Sequence, residues 1–559
     1  MADGSVRCVR VTILGGGGFR VPLIARQLAV SGLPVSQVYL FDSDPGRLAV
    51  IASVLRGDAV TSALPLATAT ELDAALRGAD VIFSALRPGG LNGRVSDERA
   101  ALARGVLGQE TVGAGGLSSA FRTVPVVSVI ARRIAALAPA AWVISMTNPA
   151  GIVTEVMAAT LGPRVIGVCD SPVGLIRRAC AALGVDPGPS LGAVTDRVDA
   201  DYLGINHLGW LRALRVAGSD LLPGLLDDPA RAGSTEEGRL FGPDLLSALG
   251  ALPNEYLYWY YAHDEALRDV LAAGRTRGEH VRERQQAFYA AAAAEAAGPA
   301  GLTGASGLTG ASGPAGASGP AGASGPASAA GPASAAGPAS AAALWQAAND
   351  ERNRSYFAEL RTGERAGSRD EADVAAGGYE SVAIALASAL SGGPAARLIL
   401  NVRNGDTVPA LPPDMVIEVP CRADASGAVP LPVSAPSAHQ LGLMAAVRSC
   451  ERDIADAALT AAGLGTPGGP ETAAGPGAGA GPGTRADAAA RAAALTLRAF
   501  AAHPLVGSLD AARSLAAALS TTDRTSSLSA PHRPPPGRPG ASALAATASV
   551  RNRRRCECV

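Results

Sequence analysis

Short apolar runs alternate with amphipathic stretches along the first 200 residues of the chain. Helical spacing begins at Pro22 and predicts helices that include Val126–Leu137 and Val173–Leu183, with Ser171 as a plausible N-cap. Another helix is expected to include Ala100–Arg104. The runs that predict strands are 9–14, Gln37–Asp42, Asp80–Leu86, Trp142–Met146 and Arg164–Val168. Strands that alternate with helices favour an α/β fold built on a parallel, doubly wound sheet.

The pattern changes near residue 200, where longer helical segments dominate. One β-rich piece, Ala396–Pro420, interrupts them. We therefore expect a first α/β domain over residues 1–200 and a second, mixed α/β domain over 201–520.

Two tracts of low complexity interrupt the second domain. The first repeats Gly-Leu-Thr-Gly-Ala-Ser and then Gly-Pro-Ala-Ser-Ala-Ala, and the second is rich in Gly, Pro and Ala. A collagen-like helix would need glycine at every third position throughout, and such tracts have almost nothing to bury. The sequence predicts disordered inserts at 298–343 and 464–486, and a disordered tail at 521–559.

The charge balance excludes several classes of partner. The chain has 48 Lys and Arg residues against 49 Asp and Glu, for a net charge of -1, so we expect neither nucleic acid nor a membrane surface as a partner. No run looks long and clean enough to span a bilayer, and no signal sequence is recognisable. The seven cysteines are scattered, which is typical of a reduced, cytoplasmic protein.

A glycine-rich loop, Gly15, Gly16, Gly17 and Gly18, follows the first strand and precedes a helix. Glycines let a backbone approach a pyrophosphate, and a helix N-terminus supplies free N–H donors, so Phe19 and Arg20 join the candidate cofactor site. Asp42 closes the next strand, where a carboxylate can accept hydrogen bonds from the adenosine ribose, which favours NAD over NADP. An ordinary strand–turn–helix with a surface aspartate would show the same residues.

Cys169 ends the fifth predicted strand, and His207 follows some forty residues later. A thiolate, an imidazole and substrate oxygens suit a borderline divalent ion such as Mn²⁺, Fe²⁺, Co²⁺ or Ni²⁺. From the residues alone, a buried structural cysteine and a core histidine remain open alternatives.

Further polar residues could contact a substrate. Asn148 ends a strand and could bond a sugar hydroxyl or cap the next helix. Tyr256 lies in an aromatic run and could act as a base if a cation lowers its pKa, or could be core. Arg87, Arg94 and Arg277 are candidates for binding a phosphate bidentately, although each alone also fits a surface salt bridge.

Together these segments resemble glycoside hydrolase family 4, the NAD- and metal-dependent glycosidases, and look most similar to the 6-phospho-β-glucosidase-like members from high-GC bacteria. The matching motifs are Leu14–Pro22, Arg87–Gly90, Gly108–Gly116, Thr147–Thr154, Cys169–Pro172, Gly204–Trp210, Asn254–Tyr261 and Asn401–Gly405. The resemblance implies a Rossmann-like NAD domain joined to a mixed α/β domain, as in lactate and malate dehydrogenases. It also implies a divalent metal, with Mn²⁺ expected, and a homodimer or homotetramer.

The chemistry that the resemblance implies is glycoside hydrolysis by redox-assisted elimination, unlike the usual two-carboxylate mechanism. The sugar is oxidised at C3, Tyr256 removes the C2 proton, the C1 substituent leaves, water adds, and C3 is reduced again. Cys169 and His207 hold the metal, while Asp170 protonates the leaving oxygen or orients a water molecule. Asn148, Asn206 and the three arginines become the contacts to a phosphorylated sugar.

Other functions remain open at this point. Within the same family, the substrate could be a 6-phospho-α-glucoside, an α-galactoside or a galacturonide. A simple NAD-dependent 2-hydroxy-acid dehydrogenase would release NADH continuously, and Cys169 with His207 argues against it. A non-catalytic sugar or nucleotide sensor is a third possibility, which the retention of all candidate ligands disfavours.

Overall fold

The computed structural model describes residues 8–187, 197–297, 340–355, 378–465 and 482–522. Most of the two predicted inserts and of the predicted tail lies outside the described residues. The edges of these segments correct the predicted boundaries, because helices begin at Ala341 and Pro482 and the last helix ends at Thr522.

Within the described residues, the strands form one mixed sheet. In chain order they are β1 Val9–Leu14, β2 Val35–Phe41, β3 Leu66–Ala69, β4 Val81–Ser84, β5 Trp142–Ser145, β6 Val165–Gly167, β7 Asp199–Ile205, β8 Leu208–Val216, β9 Ser219–Asp220, β10 Leu252–Pro253, β11 Ala396–Arg403, β12 Val416–Asp424 and β13 Gly427–Pro430.

The helices that surround this sheet are α1 Val21–Val30, α2 Pro45–Gly57, α3 Leu72–Leu76, α4 Gly90–Leu102, α5 Gly113–Leu137, α6 Ala150–Leu161, α7 Ser171–Ala182, α8 Leu222–Leu226, α9 Pro229–Ser234, α10 Glu236–Phe241, α11 Pro243–Leu249, α12 Tyr258–Tyr261, α13 His263–Ala272, α14 Arg277–Ala297, α15 Ala341–Arg354, α16 Gly378–Leu390, α17 Ala438–Ala461, α18 Pro482–Ala502 and α19 Leu509–Thr522. Short 3₁₀ turns lie at Gly162–Arg164 and Glu255–Leu257.

The first half of the sheet is parallel and confirms the predicted α/β fold. Its strands lie in the order β3-β2-β1-β4-β5-β6, the order of doubly wound dinucleotide-binding folds. The chain reverses its direction across the sheet between β1 and β4, and ligands bind such folds in the crevice at the carboxyl ends of the strands there. The sequence analysis missed β3, which is only four residues long and largely half-buried, so its hydrophobic signal is weak.

The second half of the sheet is antiparallel and continues from the first without a break. The hairpin of β11 and β12 lies between β6 and β7, followed by β8 and β10. Asn401 pairs with both Gly167 and Glu418, and Glu418 pairs with Gly204, so one row of residues crosses from β6 to β7. The expectation that helices dominate after residue 200 was therefore incomplete, because β7 and β8 are almost entirely buried and lack the polar alternation of a surface strand.

Helix α5 belongs to the core on one face of the parallel strands, where it packs against α6 and α17. It is long and apolar enough to cross a membrane, contrary to the sequence-based expectation that no segment would be. Because 67% of its most apolar stretch is buried inside the protein, these properties are those of a core helix.

Candidate active site

A cavity of about 1070 Å³ lies at the carboxyl ends of the parallel strands. It brings together residues predicted from distant parts of the sequence, namely Gly15, Gly18, Phe19, Arg20, Asp42, Arg87, Arg94, Asn148, Asp170, Tyr256 and Arg277. A cavity of this kind at the switch point of a doubly wound sheet is the expected place for a ligand.

The glycine loop is shaped by close approach to the neighbouring strands. Gly15 has a φ of +82°, and a Cβ atom there would lie 2.5 Å from the carbonyl oxygen of Ala85, just after β4. A Cβ atom on Gly16 would lie 2.7 Å from the Cβ atom of Leu40 in β2. Both positions therefore require glycine. Without a Cβ atom, the backbone of the loop can lie close to β2 and to the residue that follows β4, at the edge of the cavity.

Hydrogen bonds hold this loop from several sides. The backbone N–H of Gly17 donates to Oδ2 of Asp42 at 3.0 Å. The hydroxyl of Tyr289 in α14 donates to the carbonyl oxygen of Gly17 at 2.7 Å, and Nε1 of Trp345 in α15 donates to that of Phe19 at 2.8 Å. Helices from the second half of the chain thus fix the conformation of a loop from the first half.

Cys169 lies two residues beyond β6 and is almost completely buried, with the hydroxyl of Tyr379 3.7 Å from its Sγ atom. Burial, followed by the charges of Glu418 and Asp170, raises the pKa of the thiol well above its ordinary value. The side chain is therefore a neutral thiol unless a cation stabilises the thiolate, as a bound metal ion does.

His207 occupies the turn between β7 and β8 in a left-handed conformation, with a φ of +63°. Its Nδ1 atom lies 2.8 Å from Oγ1 of Thr111, while its buried Nε2 atom has no hydrogen-bond partner within the described part of the chain. Burial lowers the pKa of the imidazole to about 3, so the ring is neutral at physiological pH. One nitrogen fixed by a hydrogen bond and the other left free is the arrangement of a metal-ligating histidine.

The buried thiol and the free imidazole nitrogen fit a borderline divalent cation. Both residues contact side chains that line the cavity: Tyr379 next to Cys169, and Thr111 and Tyr256 next to His207. Among the described residues, no group of three or more His, Cys, Asp or Glu side chains is arranged to hold a metal.

Tyr256 stacks on His207 with an interplanar angle of 5°. Its backbone N–H donates to Oδ1 of Asn254 at 3.0 Å, which orders the 3₁₀ turn that carries it. The preceding residue, Glu255, accepts a hydrogen bond of 2.6 Å from the hydroxyl of Ser171. The prediction that Ser171 is an N-cap was wrong, because α7 begins at Ser171 and the hydroxyl is bonded to this carboxyl group.

Arg20 connects the glycine loop to the neighbourhood of Cys169. Its Nε atom donates to Oε1 of Glu380 at 2.9 Å, and its guanidinium lies 4.8 Å from the ring centroid of Tyr379. Burial alone would lower the pKa of the Arg20 guanidinium. The nearby negative charges of Glu380 and Asp170 raise it, and the net pKa is above its ordinary value. Arg20 therefore stays charged at the cavity wall beside Asp170.

Cationic side chains gather in another part of the cavity wall. Arg87 and Arg94 both pair with Glu110, while Arg277 donates to Oγ of Ser355 at 3.1 Å. Arg87 borders the cavity, and 45% of its side chain is accessible. Burial, then Arg94 and Arg352, lower its pKa to about 9. An anion bound here would relieve this repulsion between guanidinium groups.

The two asparagines predicted to contact a substrate differ. Asn148 lines the cavity, and its buried Oδ1 atom has no hydrogen-bond partner among the residues that the structure describes. It does not cap α6, whose N-cap is Pro149. Asn206 is not among the residues that line the cavity, and its Oδ1 atom accepts a hydrogen bond of 3.2 Å from the backbone of Ala150. A role in substrate binding stays a prediction for both asparagines.

The sequence analysis did not single out Thr111, Tyr379, Glu380 or Arg352, all of which line the cavity. Thr111 lies inside the matched motif Gly108–Gly116, so its position was available as a signal. The other three became visible only through the tertiary contacts described above.

Two family models together match most of the chain. Residues 10–185 match the model of the family 4 glycosyl hydrolases, and residues 202–462 match that of their C-terminal domain. A probable 6-phospho-beta-glucosidase from Bacillus subtilis is 32% identical over 282 residues, which cover 48% of this chain and 62% of that protein. A 6-phospho-alpha-glucosidase from Leptotrichia buccalis is 28% identical over 304 residues, covering 50% and 66%. The matched part of the chain thus spans about two thirds or less of the length of these relatives.

One solved structure shares the whole fold. The 6-phospho-beta glucosidase from Thermotoga maritima, crystallised with manganese, NAD+ and glucose-6-phosphate, superposes with a TM-score of 0.64 at 19% identity. The superposition covers 92% of this chain and 98% of that one. At this level of identity the similarity concerns the fold.

Proposed function

Since the chain belongs to family 4 of the glycosyl hydrolases, we propose that it hydrolyses 6-phosphoglucosides with NAD and a divalent cation, Mn²⁺ by expectation, as cofactors. The observation that carries this proposal is the free Nε2 atom of His207 near the cavity to which the dinucleotide loop and the arginines contribute. A cytoplasmic location and a homodimer or homotetramer remain predictions.

The geometry of the glycine loop supports a cofactor site there. The backbone N–H groups of Phe19 and Arg20, just before α1, bind the pyrophosphate. Those of Gly15, Gly16, Gly18 and Val21 already donate to carbonyl oxygens, and that of Gly17 donates to Asp42. Asp42 accepts hydrogen bonds from the adenosine ribose. Sγ of Cys169 and Nε2 of His207 hold the cation. When bound, NAD+ and the cation supply reversible oxidation of the sugar at C3 and stabilisation of negative charge on the oxidised sugar.

The remaining steps belong to side chains at the cavity. The phenolate form of Tyr256 removes the proton from C2. This proton is acidic because the neighbouring C3 carries a ketone. Asp170 protonates the departing oxygen at C1. Arg87 and Arg94, together with Arg277, bind the 6-phosphate. Departure of the C1 substituent is followed by water addition and by reduction of the C3 ketone to the alcohol, so the net reaction is hydrolysis and the cofactor is recycled.

We propose the β anomer as the preferred substrate, in line with the longer match to the β-named relative, which is 32% identical over 282 residues, whereas an α-named relative is 32% identical over 233 residues. Elimination passes through a planar centre at C2, so the groups assigned above act in the same way on either anomer. The 6-phospho-α-glucoside is therefore tested beside the β anomer as an alternative substrate.

The decisive assay offers p-nitrophenyl 6-phospho-β-glucoside, its α anomer and the unphosphorylated glucoside, each with NAD+ and Mn²⁺. We expect nitrophenol release from a phosphorylated substrate without net NADH, and loss of that activity when a chelator is added. Continuous accumulation of NADH would favour a dehydrogenase, and silence with every substrate would favour a sensor. Equal turnover of the unphosphorylated glucoside would overturn the phosphate assignment.

A further inference from the structure

The adenosine end of the cavity contains signals for both forms of the cofactor. Asp42, at the end of β2, is the residue type that binds the ribose diol of NAD, whereas an arginine close by can accommodate the 2′-phosphate of NADP. Arg47, in the first turn of α2, lines the same part of the cavity. Residue types alone therefore do not decide between NAD and NADP.

The acidic groups at this end are fixed by backbone donors. Oδ2 of Asp42 accepts from Gly17 and Oδ1 from Asp44, both at 3.0 Å. Oδ1 of Asp44 accepts from the backbone N–H groups of Gly46 at 2.9 Å and Arg47 at 3.0 Å. A carboxylate thus already occupies the N-terminus of α2, where free N–H groups would otherwise attract a phosphate.

Arg47 is held from behind by Tyr289 in α14. Its guanidinium lies 3.9 Å from the centroid of the Tyr289 ring, and its NH2 nitrogen donates to the Tyr289 hydroxyl at 2.9 Å. That hydroxyl in turn donates to the carbonyl oxygen of Gly17. Arg47 is thereby tied to the dinucleotide loop through a tyrosine outside the set of cavity-lining residues.

We propose that Tyr289 determines cofactor choice by restraining Arg47, so that the cavity binds NAD in preference to NADP. Arg47 is then a 2′-phosphate ligand that is present but not free to reach the phosphate. Tyr289 acts as a positioning residue, through Arg47 and not by contact with the cofactor. This inference rests on the proposed function, because it requires a dinucleotide at the glycine loop.

The test is the ratio of the dissociation constants of NADP+ and NAD+, measured by isothermal titration calorimetry on the full chain without sugar. The variant Tyr289→Phe keeps the ring but removes the hydroxyl. Because a hydrogen bond to a charged group is lost, we expect the ratio to fall by about ten- to a hundredfold in favour of NADP+. The ratio cancels any effect that the lost bond to Gly17 has on both nucleotides alike.

Two further variants separate the causes. In the background of Tyr289→Phe, the substitution Arg47→Gln should return the ratio to the wild-type value. Tyr39→Phe is the matched control. The guanidinium of Arg10 lies 4.0 Å from the centroid of the Tyr39 ring, as that of Arg47 lies over Tyr289, but Tyr39 is not among the residues that line the cavity. This control should leave the ratio unchanged.

An unchanged ratio in Tyr289→Phe, with NAD+ still bound, would overturn the role of Tyr289 while leaving the proposed function intact. A gain in NADP+ affinity that survives Arg47→Gln would also overturn it, because the phosphate would then be bound by other groups. Failure of the wild-type protein to bind either nucleotide would instead overturn the proposed function itself.

Discussion

The rings of His207 and Tyr256 lie parallel, with 3.7 Å between their centroids. This contact places the candidate base directly against the candidate metal ligand. A cation on the imidazole would therefore be close to the phenol and would favour its ionised form.

Replacing Tyr256 with phenylalanine should remove the base and keep the stack. We expect kcat to fall by about a hundredfold to ten-thousandfold, the range for loss of a general acid or base. Steady-state kinetics with substrate deuterated at C2 would check this, together with calorimetric affinities for NAD+ and Mn²⁺, which should change little. Near-normal turnover would assign proton removal to another group.

The metal site predicts a graded effect of substitutions around His207. Asparagine tolerates positive φ better than most residues, so His207→Asn should keep the turn between β7 and β8 and lose the Nε2 ligand. Thr111→Val keeps the Nε2 ligand but removes the hydrogen bond at Nδ1, together with the one that the Thr111 hydroxyl donates to Gln109. Loss of such a supporting contact weakens metal binding by about 10- to 100-fold. Mn²⁺ titration followed by electron paramagnetic resonance should show a larger loss for His207→Asn. Equal affinity in this variant and the wild type would remove His207 from the metal site.

Arg87 should contribute to binding of the 6-phosphate group and little to binding of the sugar ring. For Arg87→Gln we expect KM for a 6-phosphoglucoside to rise about tenfold or more, because a charge-assisted contact is lost. Arg99→Gln is a suitable control, because Arg99 pairs with Glu279 and is not among the residues that line the cavity. Similar KM values in both variants would place the phosphate elsewhere.

Glu255 predicts a pH dependence of stability. Burial raises its pKa to about 8 from an ordinary value of 4.5, with Arg178 opposing the shift and Glu237 adding to it. Between these two pH values the folded protein holds a proton that the unfolded chain releases, so this group lowers the free energy of unfolding as the pH rises from about 4.5 to about 8.

Glutamine at position 255 does not titrate and can still accept the hydrogen bond from Ser171. The stability of Glu255→Gln relative to wild type should therefore increase over that window and stay constant above it. Urea unfolding at several pH values would measure this, with Glu265→Gln at an exposed position of α13 as control. Parallel profiles for wild type and Glu255→Gln would contradict the shifted pKa.

The sequence predicted the parallel half of the fold well, because β1, β2, β4, β5 and β6 are short apolar runs bounded by turns and helices. It missed β7 and β8, whose burial removes the alternation that distinguishes a half-exposed strand.

The candidate site was predictable only in part. Cys169 and His207 could be named from motifs, but their surroundings depend on tertiary structure. Tyr379 reaches Cys169 from 210 residues away, and the amide of Asn206 faces a backbone donor of α6. Local patterns carry no information on such pairings, because they depend on how distant elements pack.

The two aromatic donors that hold the glycine loop, Tyr289 and Trp345, stand on either side of the low-complexity tract. Their helices, α14 and α15, pack against each other. The described residues on both sides of the tract are therefore held next to the glycine loop. The composition of the tract predicts a flexible connection, and each doubling in the length of such a connection costs only about 0.6 kcal/mol in closure entropy. Repeats can therefore be gained or lost there over evolutionary time with little thermodynamic consequence for cofactor recognition.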